Sequence, residues 1–112
     1  MTAACPVTAL PWQTIPEVLA VNGEAYADRC ALVDGDYRLS YGELLTLARE
    51  VSAELAALGI GPGDHVAIRA PNSWRWVVAA AACWWLGAVL VPVPAQAGAL
   101  EVLALLERAG AV

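Results

Sequence analysis

Hydrophobic positions along this chain change their period several times, and each change marks an element. Leu44, Ala48, Val51, Leu55 and Leu58 recur at spacings of four and three, which places them on one face of a helix. Arg49, Glu50 and Glu54 fall among its polar positions. Ser40 stands where its hydroxyl can cap that helix, and Glu43, three residues on, can reach back to the Ser40 amide as a capping box. Gly59 ends the helix, and Ile60 can fold back as the apolar contact of a Schellman-type cap.

Before this helix, Pro16, Glu17 and an apolar run through Val21 suit the first turn of a short helix reaching toward Ala27. Residues 1–14, with Pro6 and Pro11, read as an irregular leader. Residues 30–33 and 37–39 are short β-prone runs around Asp34-Gly35-Asp36, and Asp-Gly supplies the positive φ of a tight hairpin turn. Beyond Gly61-Pro62-Gly63-Asp64 the pattern turns nearly all apolar, with a strand predicted over 66–69. Asn72 or Ser73 caps a helix over 74–86, Gly87 terminates it, a strand follows over 89–93, and a last helix spans 99–109 before Gly110. Val112 would begin a further strand. Strand, helix and strand with short turns form a βαβ unit, whose strands pair in parallel through a right-handed crossover. The fold class is therefore α/β: a β-hairpin plus βαβ units with parallel strands.

Composition narrows the partners. The 112 residues are 60% hydrophobic, with mean hydropathy +0.59, which is high for a domain that must cover its own surface. The net charge is −5, and the six basic residues are all arginines, scattered at 29, 38, 49, 69, 75 and 108. That excludes the basic footprint that nucleic acid or an anionic membrane requires. No charge occurs from 76 to 100, yet Gly87, Pro92 and Pro94 break the run, and the stretch before Gly87 is too short to span a hydrocarbon core of ~30 Å. No cationic segment precedes an apolar stretch at the N-terminus, so no secretory signal is expected. Cys5, Cys30 and Cys83 are far apart and odd in number, as expected of reduced cytoplasmic thiols rather than a metal site.

Each chemically suggestive residue has a structural use. His65, the single histidine, has no acid or cysteine partner nearby in sequence and is expected on the surface at a turn. Cys83 sits among Ala and Trp as a small core residue. Trp74, Trp76, Trp84 and Trp85 spread around much of their helix, which suits core and interface packing. Gly59, Gly61 and Gly63 follow a helix and open a strand, the reverse of a dinucleotide-binding loop. Asp34 and Asp36 are explained by turn chemistry, and Glu101, Glu107 and Arg108 by the solvated stripe of the last helix. No residue is assigned a catalytic, cofactor-binding or metal-ligating role.

Three runs carry a resemblance. Leu39-Ser40-Tyr41-Gly42-Glu43-Leu44 and Leu86-Gly87-Ala88-Val89-Leu90-Val91-Pro92 resemble the first two core motifs of the AMP-forming adenylating enzymes, the AMP-dependent synthetase and ligase family. Ala70-Pro71-Asn72-Ser73-Trp74-Arg75-Trp76-Val77-Val78 is most similar to the acyl-CoA synthetase branch, where such a run opens the intervening helix. The resemblance covers 15–112 and implies a partial AMP-binding domain, the opening part of the large N-terminal domain of the acyl-CoA synthetase fold, incomplete here.

The resemblance also implies an activity: activation of a carboxylic acid with ATP and magnesium to an acyl-adenylate, then transfer to coenzyme A, as in fatty acid metabolism. Those enzymes use a Gly-, Ser- and Thr-rich phosphate loop with a lysine, a metal-binding acid, a ribose-binding aspartate and a lysine on a mobile C-terminal domain. None has a counterpart here, and the chain contains no lysine at all. The chain is therefore expected to bind no cofactor and to be inactive by itself, with ATP, magnesium, CoA and the acid as ligands of the complete enzyme only. The alternative expectation is a non-catalytic α/β binding module, half of a split synthetase that docks on a complementing chain. One departure falls inside the match: where the family commonly has Asn or Asp and then Pro, this chain has Pro94-Ala95, which leaves open how the segment before Gly98 is held.

Overall fold

The computed structural model describes residues 14–111. The expected leader lies outside them except for Thr14, and Val112, expected to open a strand, lies outside them too. Thr14 is the extended N-cap of helix α1 (Ile15–Ala25), its hydroxyl accepting from Glu17 N at 3.3 Å. The helix stops at Ala25, short of Ala27. Tyr26 leaves the helical region at φ −126°, ψ 36°, and its carbonyl accepts from Arg29 N at 2.9 Å to close a turn.

The hairpin forms as expected, with β1 (Cys30–Asp34) antiparallel to β2 (Tyr37–Ser40). Gly35 alone takes positive φ, 60°, while Asp36 does not; a glycine at the first central position is the pattern of a type II′ turn. The register shifts between Cys30 and Leu32.

Helix α2 (Tyr41–Ala57) begins on the full capping box: Glu43 N donates to Ser40 Oγ at 3.0 Å, and Ser40 N donates to Glu43 Oε1 at 2.8 Å. It ends as a Schellman motif, Ile60 N reaching Leu55 O at 3.1 Å and Gly59 N reaching Ala56 O at 3.0 Å. One expectation fails here. Leu58 is 79% exposed, because it is the C-cap, where the chain already turns away, and Ile60 packs beside Leu55 in its place. The buried face of α2 is also broader than the stripe, adding Leu45 and Ser52, since α1 and α3 both press on it.

Strand β3 (His65–Arg69), helix α3 (Trp74–Leu86) and parallel strand β4 (Val89–Val93) form the βαβ unit, followed by α4 (Ala99–Ala109). Ser73, one of the two cap candidates, caps α3 by accepting from Trp76 N at 3.3 Å. Leu39, Leu44, Ala48, Val78 and Ala81 form one core cluster, between the hairpin, α2 and α3. Val66, Cys83 and Ala88 form a second, between α3 and the parallel strands, flanked by Leu55, Ile60, Ile68 and Leu90. No helix among the described residues is long and apolar enough to cross a membrane.

Candidate functional site

The two signature runs sit at junctions between helices and strands. In the first, Gly42 lies where the backbone after α1 crosses the start of α2: its N–H donates to Ala27 O at 3.0 Å, and a Cβ there would stand 3.1 Å from that same oxygen. Only a residue without a side chain allows this approach at no cost. In the second run, Gly87 takes φ 84° to end α3. Its carbonyl accepts from Gly63 N at 2.9 Å, while Val89 N donates to Asp64 O at 2.7 Å, so the turn after α2 and the turn after α3 are stitched together.

The best-formed depression linked to the parallel strands lies at their C-terminal ends, where open α/β sheets place their ligands. It is a cleft of about 400 Å³ lined by Ala70, Pro71 and Asn72 after β3, Trp76 of α3, and residues 92–96 at and beyond the end of β4. Pro94 and Ala97 close a tight turn, Ala97 N donating to Pro94 O at 3.1 Å, and the Arg69 guanidinium reaches across to Ala97 O at 2.7 Å. The Pro94-Ala95 departure is thus accommodated by backbone closure and by Arg69 in place of a polar side chain at 94.

The start of α3, just beyond the lining residue Asn72, is held from the hairpin. Asp34 Oδ2 accepts from Trp74 N at 2.9 Å, forty residues away in sequence, and Tyr37 stacks on Trp74 with ring centroids 4.4 Å apart. Asp34 was expected to serve only its own turn; it also satisfies a first-turn N–H of α3, which no local signal could show. The Arg75 guanidinium lies 4.8 Å from the Trp74 ring centre on the same helix.

The cleft offers apolar surface, backbone groups and two side-chain amides, Asn72 and Gln96. It can orient an uncharged group by hydrogen bonding. Its lining holds neither carboxylate nor cation, so this donor set does not fit a nucleotide triphosphate with its magnesium, and no chemical step is assigned to it. A second, more open depression of about 520 Å³ carries Asp28, Glu43 and Glu50, but Glu43 is committed to the capping box. Among the described residues no group of three or more His, Cys, Asp or Glu side chains is placed to hold a metal ion.

His65 is exposed, the first residue of β3, with Nδ1 against Ala109 O at the end of α4. A carbonyl only accepts, so Nδ1 carries the hydrogen. Cys30 is exposed and Cys83 buried, both as free thiols; burial pushes the Cys83 thiol pKa up. Neither lines the cleft. Trp76 does, a role that its position in the uncharged run had concealed.

Comparison with known proteins gives this arrangement a context. The family described as AMP-binding enzyme matches residues 19–112. The chain is 39% identical over 95 residues to a methyl-dioxo-octahydro-indenyl propanoyl:CoA ligase of Rhodococcus jostii, covering 85% of this chain and 18% of the relative. It is 39% identical over 100 residues to the putative acyl-CoA synthetase YngI of Bacillus subtilis, covering 88% and 18%. Among solved structures, a Mycobacterium tuberculosis fatty acyl CoA synthetase superposes with TM-score 0.82 at 32% identity, covering 88% of this chain and 20% of that one. The N-terminal subdomain of Klebsiella oxytoca NpsA superposes with TM-score 0.84 at 27% identity, covering 89% and 26%. The chain thus spans roughly a fifth of the length of the first relatives it matches.

Proposed function

Because the chain belongs to the AMP-binding enzyme family, we propose that it is the N-terminal portion of an AMP-forming acyl-CoA ligase. The reaction would activate a carboxylic acid with ATP and pass the acyl group to CoA. The observation that carries this reading is the match to CoA ligases across most of the chain, with the signature runs seated at the β2–α2 and α3–β4 junctions. On this reading the chain supplies scaffold and one cleft wall. It contains no lysine, so the point charge that stabilises a departing phosphate comes from elsewhere in the enzyme.

The test has two arms. The isolated chain, incubated with ATP, magnesium and a panel of fatty and aromatic acids, should give only background pyrophosphate exchange. Replacing the matched stretch of the Rhodococcus relative by residues 19–112 should retain acid-dependent exchange. Robust exchange by the chain alone overturns the claim that it is inactive by itself. A folded chimera without exchange overturns the ligase reading.

The reading as one half of a split synthetase has its own support. Leu100 and Leu103 on α4 are 84% and 58% exposed, and α4 contains no buried residue, as expected of a helix awaiting a partner. Co-expression with the remaining part of the Rhodococcus relative should then yield a stable complex with exchange activity; two chains that purify apart would exclude this second reading.

A further inference from the structure

Resting on the reading that this chain opens an AMP-forming ligase, we propose that Arg69 is the positioning residue of the cleft at the carboxyl ends of β3 and β4. Its guanidinium fixes the separation of the two walls, and it replaces a hold that the turn beyond β4 cannot draw from its own residues.

That turn is Pro94–Ala97, closed by the bond from Ala97 N to Pro94 O. Neither Ala95 nor Gln96 has positive φ, and no peptide is cis. Types I′, II, II′ and VI are thereby excluded, and the closed turn has type I geometry. Such turns favour Asn, Asp or Ser at the first position, where the side chain bonds the backbone two residues on, and Pro at the second, where the ring presets φ. Here the first position is Pro94, which has no polar side chain, and the second is Ala95. Gly98, the N-cap of α4, adds no side-chain bond, and α4 buries no residue. The segment from 94 to 98 therefore has no side-chain anchor of its own.

Arg69 supplies one from across the sheet. It pairs with Val93 at the last rung of the ladder, and its Nη2 donates to Ala97 O at 2.7 Å, the length of a charge-assisted hydrogen bond. Ala97 is 5% exposed, and among the described residues its carbonyl has no other partner. Without Arg69, an acceptor on a buried residue loses its donor. The place of this bond is what makes it matter to the cleft. Ala70, Pro71 and Asn72 follow Arg69 directly and form one wall, while residues 92–96 precede Ala97 directly and form the other. One hydrogen bond thus ties the wall that carries Asn72 to the wall that carries Gln96. Arg69 itself does not line the cleft, so it acts through Ala97 and not on a ligand.

The test compares the parent chain with Arg69→Met, which keeps a long apolar stem without donors, and with Arg69→Lys, which keeps one charged donor. A third variant combines Arg69→Met with Pro94→Asn and Ala95→Pro, giving the turn its own anchor. Amide exchange at Ala97 reads the turn, and the side-chain amide NMR signals of Asn72 and Gln96 read the cleft. Arg69→Met should speed Ala97 exchange by roughly tenfold or more and shift both side-chain signals, while the amide of Val66, buried in the same strand, exchanges as in the parent. Arg69→Lys should fall between, and it carries the comparison if Arg69→Met does not fold. The combined variant should return Ala97 exchange and both signals to the parent values. Unaltered Ala97 exchange overturns the proposal. Equal acceleration at Val66, or no rescue by the Asn-Pro pair, marks a merely structural arginine and overturns it too. In thioester formation by the chimera described above, Arg69→Met should raise KM for the acid or for CoA by roughly threefold or more with kcat little changed, and the Asn-Pro pair should restore it; unchanged KM values overturn the positioning role. A chimera without any turnover sinks the ligase reading, and Ala97 exchange with its rescue then decides the role of Arg69 independently, so the two failures are distinguishable.

Discussion

Gly23 lies buried in the last turn of α1, and Gly23→Ala sets two effects of known sign against each other. In a helix interior, alanine is favoured over glycine by about 0.8–1 kcal/mol. A Cβ at this position, however, would stand 2.8 Å from Leu45 Cβ and 3.1 Å from Leu45 Cγ. Leu45 Cβ is bonded directly to the α2 backbone and cannot swing aside, so α1 must lift from α2, at an overpacking cost of roughly 1–3 kcal/mol. The net expectation is destabilisation of about 0–2 kcal/mol despite the better helix former. Gly61→Ala is the control: a Cβ there meets nothing within 4 Å and its φ is not positive, so reduced freedom of the unfolded chain should stabilise by about 0.4–1 kcal/mol. Urea unfolding followed by far-UV circular dichroism reads both midpoints. A Gly23→Ala protein more stable than its parent would show that α1 does not pack on α2 through this position.

Ser40→Ala removes one arm of the capping box and should cost about 0.5–2 kcal/mol, whereas Glu43→Gln keeps both box hydrogen bonds and should cost less; equal losses would contradict the geometry at α2. Asp34→Ala frees the Trp74 N–H and should lower stability by roughly 1 kcal/mol, with a change in near-UV dichroism as the stacking of Tyr37 on Trp74 loosens; an unchanged spectrum and midpoint would remove Asp34 from the support of α3. In peptide-resolved alkylation, exposed Cys30 should react promptly and Cys83 only as the fold opens. Because burial raises the Cys83 pKa in the folded state, the neutral thiol is favoured there. Its contribution is complete below the unfolded value of roughly 8.5 and is lost as pH rises toward the folded one. Cys83→Ala should flatten that alkaline decline, and an identical pH profile would refute the assignment.

Elements that carry their own punctuation were legible in the sequence. Helix α3, strand β4 and helix α4 fall at the expected residues because Ser73, Gly87 and Gly110 act locally, through hydrogen bonds within a few positions. What escaped is non-local. Leu58 continues the apolar spacing of α2 but lies past its last turn, and periodicity carries no record of where a helix stops turning. The bond from Asp34 to Trp74 and the reach of Arg69 to Ala97 join segments far apart in the chain. The cleft was invisible for the same reason: the residues after β3 and those after β4 carry no distinctive chemistry separately, and they become a site only when a parallel sheet sets their ends side by side.

This bears on what the two signature runs mean. Ser40 and Glu43 satisfy the start of α2, Gly42 admits the crossing backbone at Ala27, and Gly87 lets α3 end so that Ala88 N can reach Cys83 O at 2.9 Å and the chain can enter β4. Each of these contacts serves the start of α2 or the exit from α3. The first run thus serves the junction of β2 with α2, and the second the junction of α3 with β4. On the proposed ligase reading, these junctions leave acid preference to be set elsewhere in the enzyme. Exchanging residues 19–112 among relatives that act on different acids should accordingly transmit stability differences more faithfully than substrate preference. Chimeras whose acid preference follows this segment would show that the cleft does select substrate, and that the junctions carry more than architecture.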